Sequence, residues 1–201
     1  MPKKEEIESM IQEYNGWHQM FGDDHRSVGW SKDSSARFRA LLSPWLDFPN
    51  FRNMSILDYG CGLGHLIPHI EKLHNQEKYV GIDLNEKLIY SARTYYPNAR
   101  FYSLSEIPEL PKSDLVIASG IFNRQFSDST DFLLKTTTHL LKISKIGFSF
   151  NVLSEFALEK YEKNYYATLD KVHRIINREF SDSFIIDGHS LPGEFTIHLF
   201  K

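Results

Sequence analysis

The residues with the clearest chemical potential lie in the run Leu57-Asp58-Tyr59-Gly60-Cys61-Gly62-Leu63-Gly64. Three glycines at alternating positions let the backbone turn tightly and let a ligand approach the main chain. The run ends a short apolar segment, SILDYG, that reads as a strand. It precedes HLIPHIEKLH, which reads as a helix with Leu66, Ile70 and Leu73 on one face. A helix presents free backbone N–H groups at its start. Asp58 falls at the carboxyl end of the strand, where ligands bind in open α/β sheets.

The spacing selects among ligands. A dinucleotide fingerprint, G-x-G-x-x-G, places a pyrophosphate on the helix N-terminus. Here the spacing is G-x-G-x-G, and His65 occupies the position of the third glycine. An acidic residue two positions before the first glycine repels a diphosphate and suits a ligand with an ammonium group and no phosphate. Asp83 ends a second apolar segment, YVGID, over 79–83. A carboxylate there accepts both hydroxyls of a ribose. An ammonium, a carboxylate and a ribose together describe S-adenosylmethionine; without the flanking strand, helix and second acid, the glycines would read simply as a turn.

The remaining pattern says what must hold these residues. NEKLIYSARTYYP reads as a helix capped by Asn85 and stopped before Pro97. ARFYSL, SDLVIASG (113–120) and KIGFSFNVL (145–153) read as further strands, with the helix STDFLLKTTTHLLKI before the last. Phe148 and Phe150 are read as core. Strands alternating with helices imply parallel pairing with crossover helices, a doubly wound α/β sheet. The end departs from that rhythm: a helix over 164–180, then SFIID and EFTIHLF around the turn-rich GHSLPG, an antiparallel hairpin. The expectation is a Rossmann-like, seven-stranded, mostly parallel sheet with a C-terminal hairpin and an N-terminal helical cap. In that cap Ile7, Met10, Ile11 and Tyr14 fall at helical spacing. GWHQMFGDDHRSVGW (16–30) reads as a loop, and a second helix starts near Ser31 or Asp33, runs through Ala36, Phe38, Leu41 and Leu42, and ends at Pro44.

Composition narrows the field. The chain has 201 residues, with 23 basic and 26 acidic side chains, a length that suits one domain and a charge that lacks the basic footprint of a nucleic-acid binder. No apolar run is long enough for a membrane span, and the N-terminal stretch has no apolar core of a secretory signal. One cysteine, Cys61, forms no internal disulfide, which makes a cytoplasmic address the default. The expected partner is a small molecule, with no nucleic acid and no membrane, and the chain is expected as a monomer or homodimer.

Asp58-x-Gly60-x-Gly62-x-Gly64, then Gly81-Ile82-Asp83, then Asp114-Leu115-Val116 with Ala118-Ser119-Gly120, resemble the successive motifs of class I S-adenosylmethionine-dependent methyltransferases. VIASGIFN (116–123), GWSKDSSARF (29–38) and EFTIHLF further resemble a bacterial small-molecule subgroup of that family. The resemblance covers residues 51–153 as motifs and reaches the C-terminal hairpin as topology. It implies one domain over 1–201: a helical lid over 1–50, a cofactor-binding core over 51–153, and an acceptor-side helix and hairpin over 154–201. It implies that Gly60, Gly62 and Gly64 line the methionine part of the cofactor, that Asp58 meets its amino group, that Asp83 holds the ribose and that Leu84 packs on the adenine. Ser103, Leu104 and Ser105 would flank the adenine; many relatives carry an Asp there, where this chain has serines and Glu106. Ser119, Gly120 and Asn123 would face the sulfonium and the acceptor.

Methyl transfer is an in-line displacement at an already activated carbon, so alignment and a dry site are the main requirements. A general base is needed only where the acceptor must lose a proton. Candidate bases are His18, His25, Asp23 and Asp24 in the first loop, His65 beside the glycine turn, and His189 in the hairpin turn. The loop over 16–30 is expected to close as a lid, with Trp30 as an apolar wall and Arg37 meeting the cofactor carboxylate. His65 and His69 are one helical turn apart but lack a third ligand, so no metal is expected. Tyr165 and Tyr166 either border the acceptor or pack. The motifs of amino-methylating DNA enzymes, base-C5 enzymes and protein-arginine enzymes are absent. A small acceptor with an oxygen or nitrogen nucleophile remains: a sugar, an amino sugar or a secondary metabolite. The competing classes are an NAD(P)-dependent oxidoreductase and a non-catalytic methyltransferase-like binding module.

Overall fold

The computed structural model describes residues 1–30, 35–179 and 183–201, and the side chains of 178 and 179 are left aside. In chain order the elements are α1 (Lys4–Phe21), α2 (Ser35–Leu42), β1 (Ile56–Tyr59), α3 (Ile67–Ile70), β2 (Tyr79–Asp83), α4 (Glu86–Tyr95) and β3 (Arg100–Ser103). Then come β4 (Ser113–Ala118), α5 (Ser129–Ile143), β5 (Ser144–Ser154), β6 (Tyr166–Ala167), α6 (Leu169–Glu179), β7 (Phe184–Asp187) and β8 (Glu194–Phe200). One sheet runs β3-β2-β1-β4-β5-β8-β7. The first five are parallel; β8 pairs antiparallel with β5, and β7 with β8. This is the doubly wound, mostly parallel sheet with a C-terminal antiparallel hairpin that the sequence pattern implies.

Alternation along the strands sends side chains to two cores. Leu57, Val116, Ala118, Phe148 and Phe150 face one side, with Leu133 and Leu140 of α5 and Val172 and Ile176 of α6. Ile56, Leu115 and Ile117 face the other, with Phe38 and Leu41 of α2, Ile67 and Ile70 of α3, and Ile89 and Ala92 of α4. Local chemistry sets several boundaries. Asn85 caps α4 by accepting from the N–H groups of Lys87 and Leu88, and Asp128 caps α5 by accepting from Asp131.

Four details differ from the sequence reading. Residues 16–21 belong to α1 rather than to a loop, because a lone Gly16 costs a helix only about 1 kcal/mol. The helix stops instead at Gly22, whose φ of 64° releases the chain while its N–H still reaches the His18 carbonyl. α3 is short: beyond Ile70 the Leu73 N–H bonds the Ile70 carbonyl, three residues back, which turns Leu73 out to solvent while Leu66 and Ile70 stay buried. The helix expected over 164–180 begins only at Leu169, with the Thr168 hydroxyl accepting from the Lys171 N–H. Tyr166 and Ala167 instead form an eighth strand on Leu153 and Ser154, the residues of β5 that extend past the end of β4 and leave an edge open. The helix starts proposed at Ser31 or Asp33 lie outside the described residues. Ala36 is exposed, while Phe38, Leu41 and Leu42 are buried as expected.

The second core is closed by Trp45, fully buried, whose indole N–H donates to Ser149 Oγ at 2.6 Å; that hydroxyl meets His198 Nδ1 at 2.7 Å. The indole ring lies against Gly147, where an added Cβ would collide with it and with the Leu199 carbonyl. Gly147→Ala is therefore expected to lower stability by about 1–3 kcal/mol through overpacking. Urea unfolding checks this; an unchanged midpoint would show that the indole shifts freely.

Candidate active site

β1 ends at Tyr59, and the next five residues turn back over the strand ends. Gly60, Gly62 and Gly64 all adopt positive φ, at 77°, 53° and 81°, which only glycine takes without strain. The turn is tied to β2, since the Gly60 and Cys61 N–H groups donate to the Ile82 carbonyl at 2.7 and 3.1 Å. Asp83 braces it from the side, accepting from Gly62 N–H at 2.9 Å through one oxygen and from Asn85 N–H at 2.8 Å through the other. Side chains at all three glycines would strike neighbours: Ile121 at Gly60, Val28 at Gly62 and Phe101 at Gly64.

Above this turn lies a cavity of about 260 Å³. Asp58, Gly60, Gly62, Asp83, Leu84, Leu104, Ser119, Gly120 and Trp30 all line it. Asp58 is only 2% exposed. The Tyr79 hydroxyl donates to it at 2.8 Å. Burial, reinforced by the nearby Asp83 charge and opposed by that hydroxyl, pushes its carboxyl pKa up to about 7. Burial also raises the Asp83 carboxyl, against the backbone N–H groups that hold its charged form. Ser119 Oγ is buried without a hydrogen-bond partner among the described residues, a polar atom left for a ligand.

Other expected site residues lie elsewhere. Gly64 packs against Phe101 and Tyr96 rather than the cavity. Ser105 bonds Ser103 Oγ and Glu86 on the outside. His18 is one helical turn past Tyr14, beyond the end of the cavity wall. The His25 ring sits 3.3 Å from Asp24, in a short 3-10 turn over His25–Val28. Asn123 is outside the lining, although its Oδ1 is buried and has no partner among the described residues. Arg37 is also outside it. Its Nε and Nη2 grip the two oxygens of Glu194, and its guanidinium lies 4.6 Å over the Trp30 ring.

That ion pair opens a buried polar chain. Glu194 also accepts from Asn151 Nδ2 at 2.5 Å, and Asn151 Oδ1 accepts from the Gly120 N–H at 2.7 Å. The Trp30 ring and Gly120, neighbours in the cavity wall, are thus also joined through Arg37, Glu194 and Asn151.

Several wall residues carry no motif. Ile7, Met10, Ile11 and Tyr14 of α1 form one wall, and Ile121, Arg124, Phe126 and Phe132 face them from the segment after β4. The amphipathic stripe of α1 is legible in sequence, but not what it faces. No residue of α1 is buried. It is held by polar clasps: Glu13 to Arg124 at 2.5 Å and Lys163 at 2.9 Å, Glu6 to the Ser127 N–H at 2.6 Å, and Asn15 to Asn85 at 3.1 Å. His65 lines the cavity too. Its Nε2–H donates to the Asp23 carbonyl at 3.0 Å, which leaves Nδ1 as acceptor, and desolvation lowers its pKa. Among the described residues, no group of three or more His, Cys, Asp and Glu is placed to hold a metal ion. Among them, too, no helix is long and apolar enough to cross a membrane.

Comparison with known proteins adds an independent line. The family model for a methyltransferase domain matches residues 50–178. Rv1506c of Mycobacterium tuberculosis, a protein named as a methyltransferase, is 31% identical over 152 residues, spanning 71% of this chain and 90% of its own length. Among solved structures, magnesium protoporphyrin IX methyltransferase from Synechocystis with bound SAH superposes with a TM-score of 0.69 at 14% identity, over 94% of each chain. The DhpI–SAM–HEP complex superposes with a TM-score of 0.67 at 15% identity, over 98% of this chain and 99% of the other. At such identities the structural likeness speaks to the fold alone.

The buried Asp58 gives a pH signature in the free protein. Its folded pKa, about 7, stands above the ordinary 3.8, so the folded state resists ionisation and stability falls as pH rises through that window, levelling off above it. Asp58→Asn carries no such cost. The thermal midpoint of Asp58→Asn relative to the parent is expected to climb between about pH 4 and about pH 7 and to level off above; a difference independent of pH would refute the burial argument.

Proposed function

The chain belongs to the methyltransferase-domain family of class I S-adenosylmethionine-dependent enzymes, and from that premise we propose that it transfers a methyl group to an oxygen or nitrogen of a small molecule. The carrying observation is the convergence of Asp58, Asp83 and two left-handed glycines, Gly60 and Gly62, on one cavity. The residues fit the cofactor. A Cβ at Gly60 or Gly62 would collide with Ile121 or Val28, so these side chains close directly on the bare turn and shape the cavity beside it. The orphaned Ser119 hydroxyl sits in the same wall.

When bound, S-adenosylmethionine supplies a methyl group on a sulfonium, open to in-line displacement. The chain's share is binding, alignment and exclusion of water. Asp58 holds the ammonium group, and neutralising that carboxylate offsets part of its burial cost. Asp83 keeps lone pairs free for the ribose hydroxyls while its backbone bonds fix its orientation. Leu84 and Leu104 flank the adenine, and Trp30 closes the apolar side. Where the acceptor must lose a proton, His65 offers a neutral imidazole with Nδ1 free of its proton. His18 and His25 need a movement of the lid before they reach the cavity, and Asn123 stands behind the lining residue Gly120. Residues 1–50 act as that lid, 51–153 as cofactor core, and 154–201 complete the sheet and the acceptor side.

The acceptor is read as small on two grounds. The cavity is enclosed by α1, and the overall charge of −3 gives no basic footprint for nucleic acid. Sugars, amino sugars and secondary metabolites form the starting field, and the site of action is cytoplasmic.

Calorimetric titration with SAH tests the reading; absence of binding would overturn it. Asp83→Ala is expected to weaken SAH by about 100-fold or more, since charge-assisted hydrogen bonds are lost. Asp83→Asn, which keeps an acceptor oxygen for Gly62, is expected to lose less. An unchanged dissociation constant in Asp83→Ala would remove the ribose role.

A further inference from the structure

The cavity is chemically divided. Toward the glycine turn it offers Asp58, Asp83, Asn85 and Ser119. Toward α1 and the segment after β4 it offers Ile7, Met10, Ile11, Phe126 and Phe132, with Ile121 against Gly60 where the halves meet. In this second half the polar side chains are those of Tyr14 and Arg124. Among the described residues, the Tyr14 hydroxyl has no hydrogen-bond partner. It lies within electrostatic reach of both Asp83 and Arg124, at the junction of the two halves.

Such a wall discriminates between acceptors. A sugar brings hydroxyls on every side, and each one buried without a partner costs about 1–3 kcal/mol. Tyr14, Ser119 and Arg124 cannot satisfy a polyol from all directions. An aromatic or aliphatic body gains from the same surface.

Arg124 adds a sign. Its side chain is 19% exposed, and among the described residues its guanidinium has one partner, Glu13. Glu13 is shared with Lys163, so two cations stand against one carboxylate and the cluster stays net positive. Arg124 Nε and Nη2 are not engaged by Glu13, and the planar fork of guanidinium donors matches a carboxylate.

We infer that the acceptor is a small molecule with an apolar body and one carboxylate, the body lying between α1 and residues 121–132 and the carboxylate meeting Arg124. This rests on the methyltransferase reading and narrows it: within the starting field it favours apolar acids over sugars and amino sugars. The methylated oxygen or nitrogen then lies at the other end of the molecule, toward Ser119, because Arg124 and the glycine turn bound opposite halves of the cavity.

The test is calorimetric binding to the protein saturated with SAH. The probes are para-hydroxybenzoate and a medium-chain hydroxy fatty acid, each beside its primary amide, with glucosamine as the polar comparison. Each acid is expected to bind about tenfold or more tightly than its amide. Arg124→Gln is expected to erase that preference while SAH affinity stays within about twofold, and Arg124→Lys to keep part of it. Equal binding of acid and amide, preference for glucosamine, an unaltered preference in Arg124→Gln, or no acceptor bound while SAH binds normally would each overturn the inference alone. Failure of the parent protein to bind SAH would instead overturn the underlying reading, and this inference with it.

Discussion

Glu194 is the joint on which the geometry of the site depends. Its carboxylate is buried at the start of the last strand, where an isolated charge would cost several kcal/mol. It is tolerated because Arg37 grips both oxygens and Asn151 donates to one of them. The three residues come from the N-terminal cap, the longest strand and the final strand. With its Asn151 amide thus anchored, the carbonyl end of that side chain is left to hold the Gly120 N–H. The turn after β4 is therefore set by a charge pair that never touches the cavity. Arg37 also carries the Trp30 ring on its guanidinium face, so one ion pair orients two adjoining parts of the wall.

The two acidic residues at the strand ends place a related demand on the fold. Parallel strands deliver Asp58 and Asp83 to the same edge because β1 and β2 pair in register, Asp58 beside Gly81 and Tyr59 beside Ile82. Burial disfavours both charged forms, and the Asp83 charge adds to it at Asp58. The Gly62 and Asn85 N–H groups compensate at Asp83, and Tyr79 directs its hydroxyl at Asp58. A cationic ligand completes the balance, so recognition is built into a site that is electrostatically unfinished on its own.

What the sequence discloses is what is local. The glycine turn, the acid ending β2, the Asn85 cap and the whole of α5 are specified by neighbours within a few residues. Contacts across long separations are hidden. Arg37 looks free to meet a ligand in sequence, but 157 positions later Glu194 takes its guanidinium. Arg124, Phe126 and Phe132 belong to no motif and acquire meaning only when α1 is laid opposite them. The first part of the loop expected at 16–30 proved helical for a related reason: Gly16 looks like a terminator, yet the flanking helix absorbs its modest penalty and runs on to Phe21. β6 exists because β5 outlasts β4, a property of relative strand lengths that no single segment displays.

α1 joins the rest of the molecule through carboxylate clasps while its apolar stripe faces a cavity instead of a packed core. Its desolvation is thus partly deferred until something fills the space beneath it. Ligand and helix then share one hydrophobic contact, and the apolar area removed from water on binding exceeds what the ligand alone covers. The heat capacity of association should accordingly carry a contribution from the protein's own first helix. A short chain thereby makes part of its folding thermodynamics conditional on its substrates.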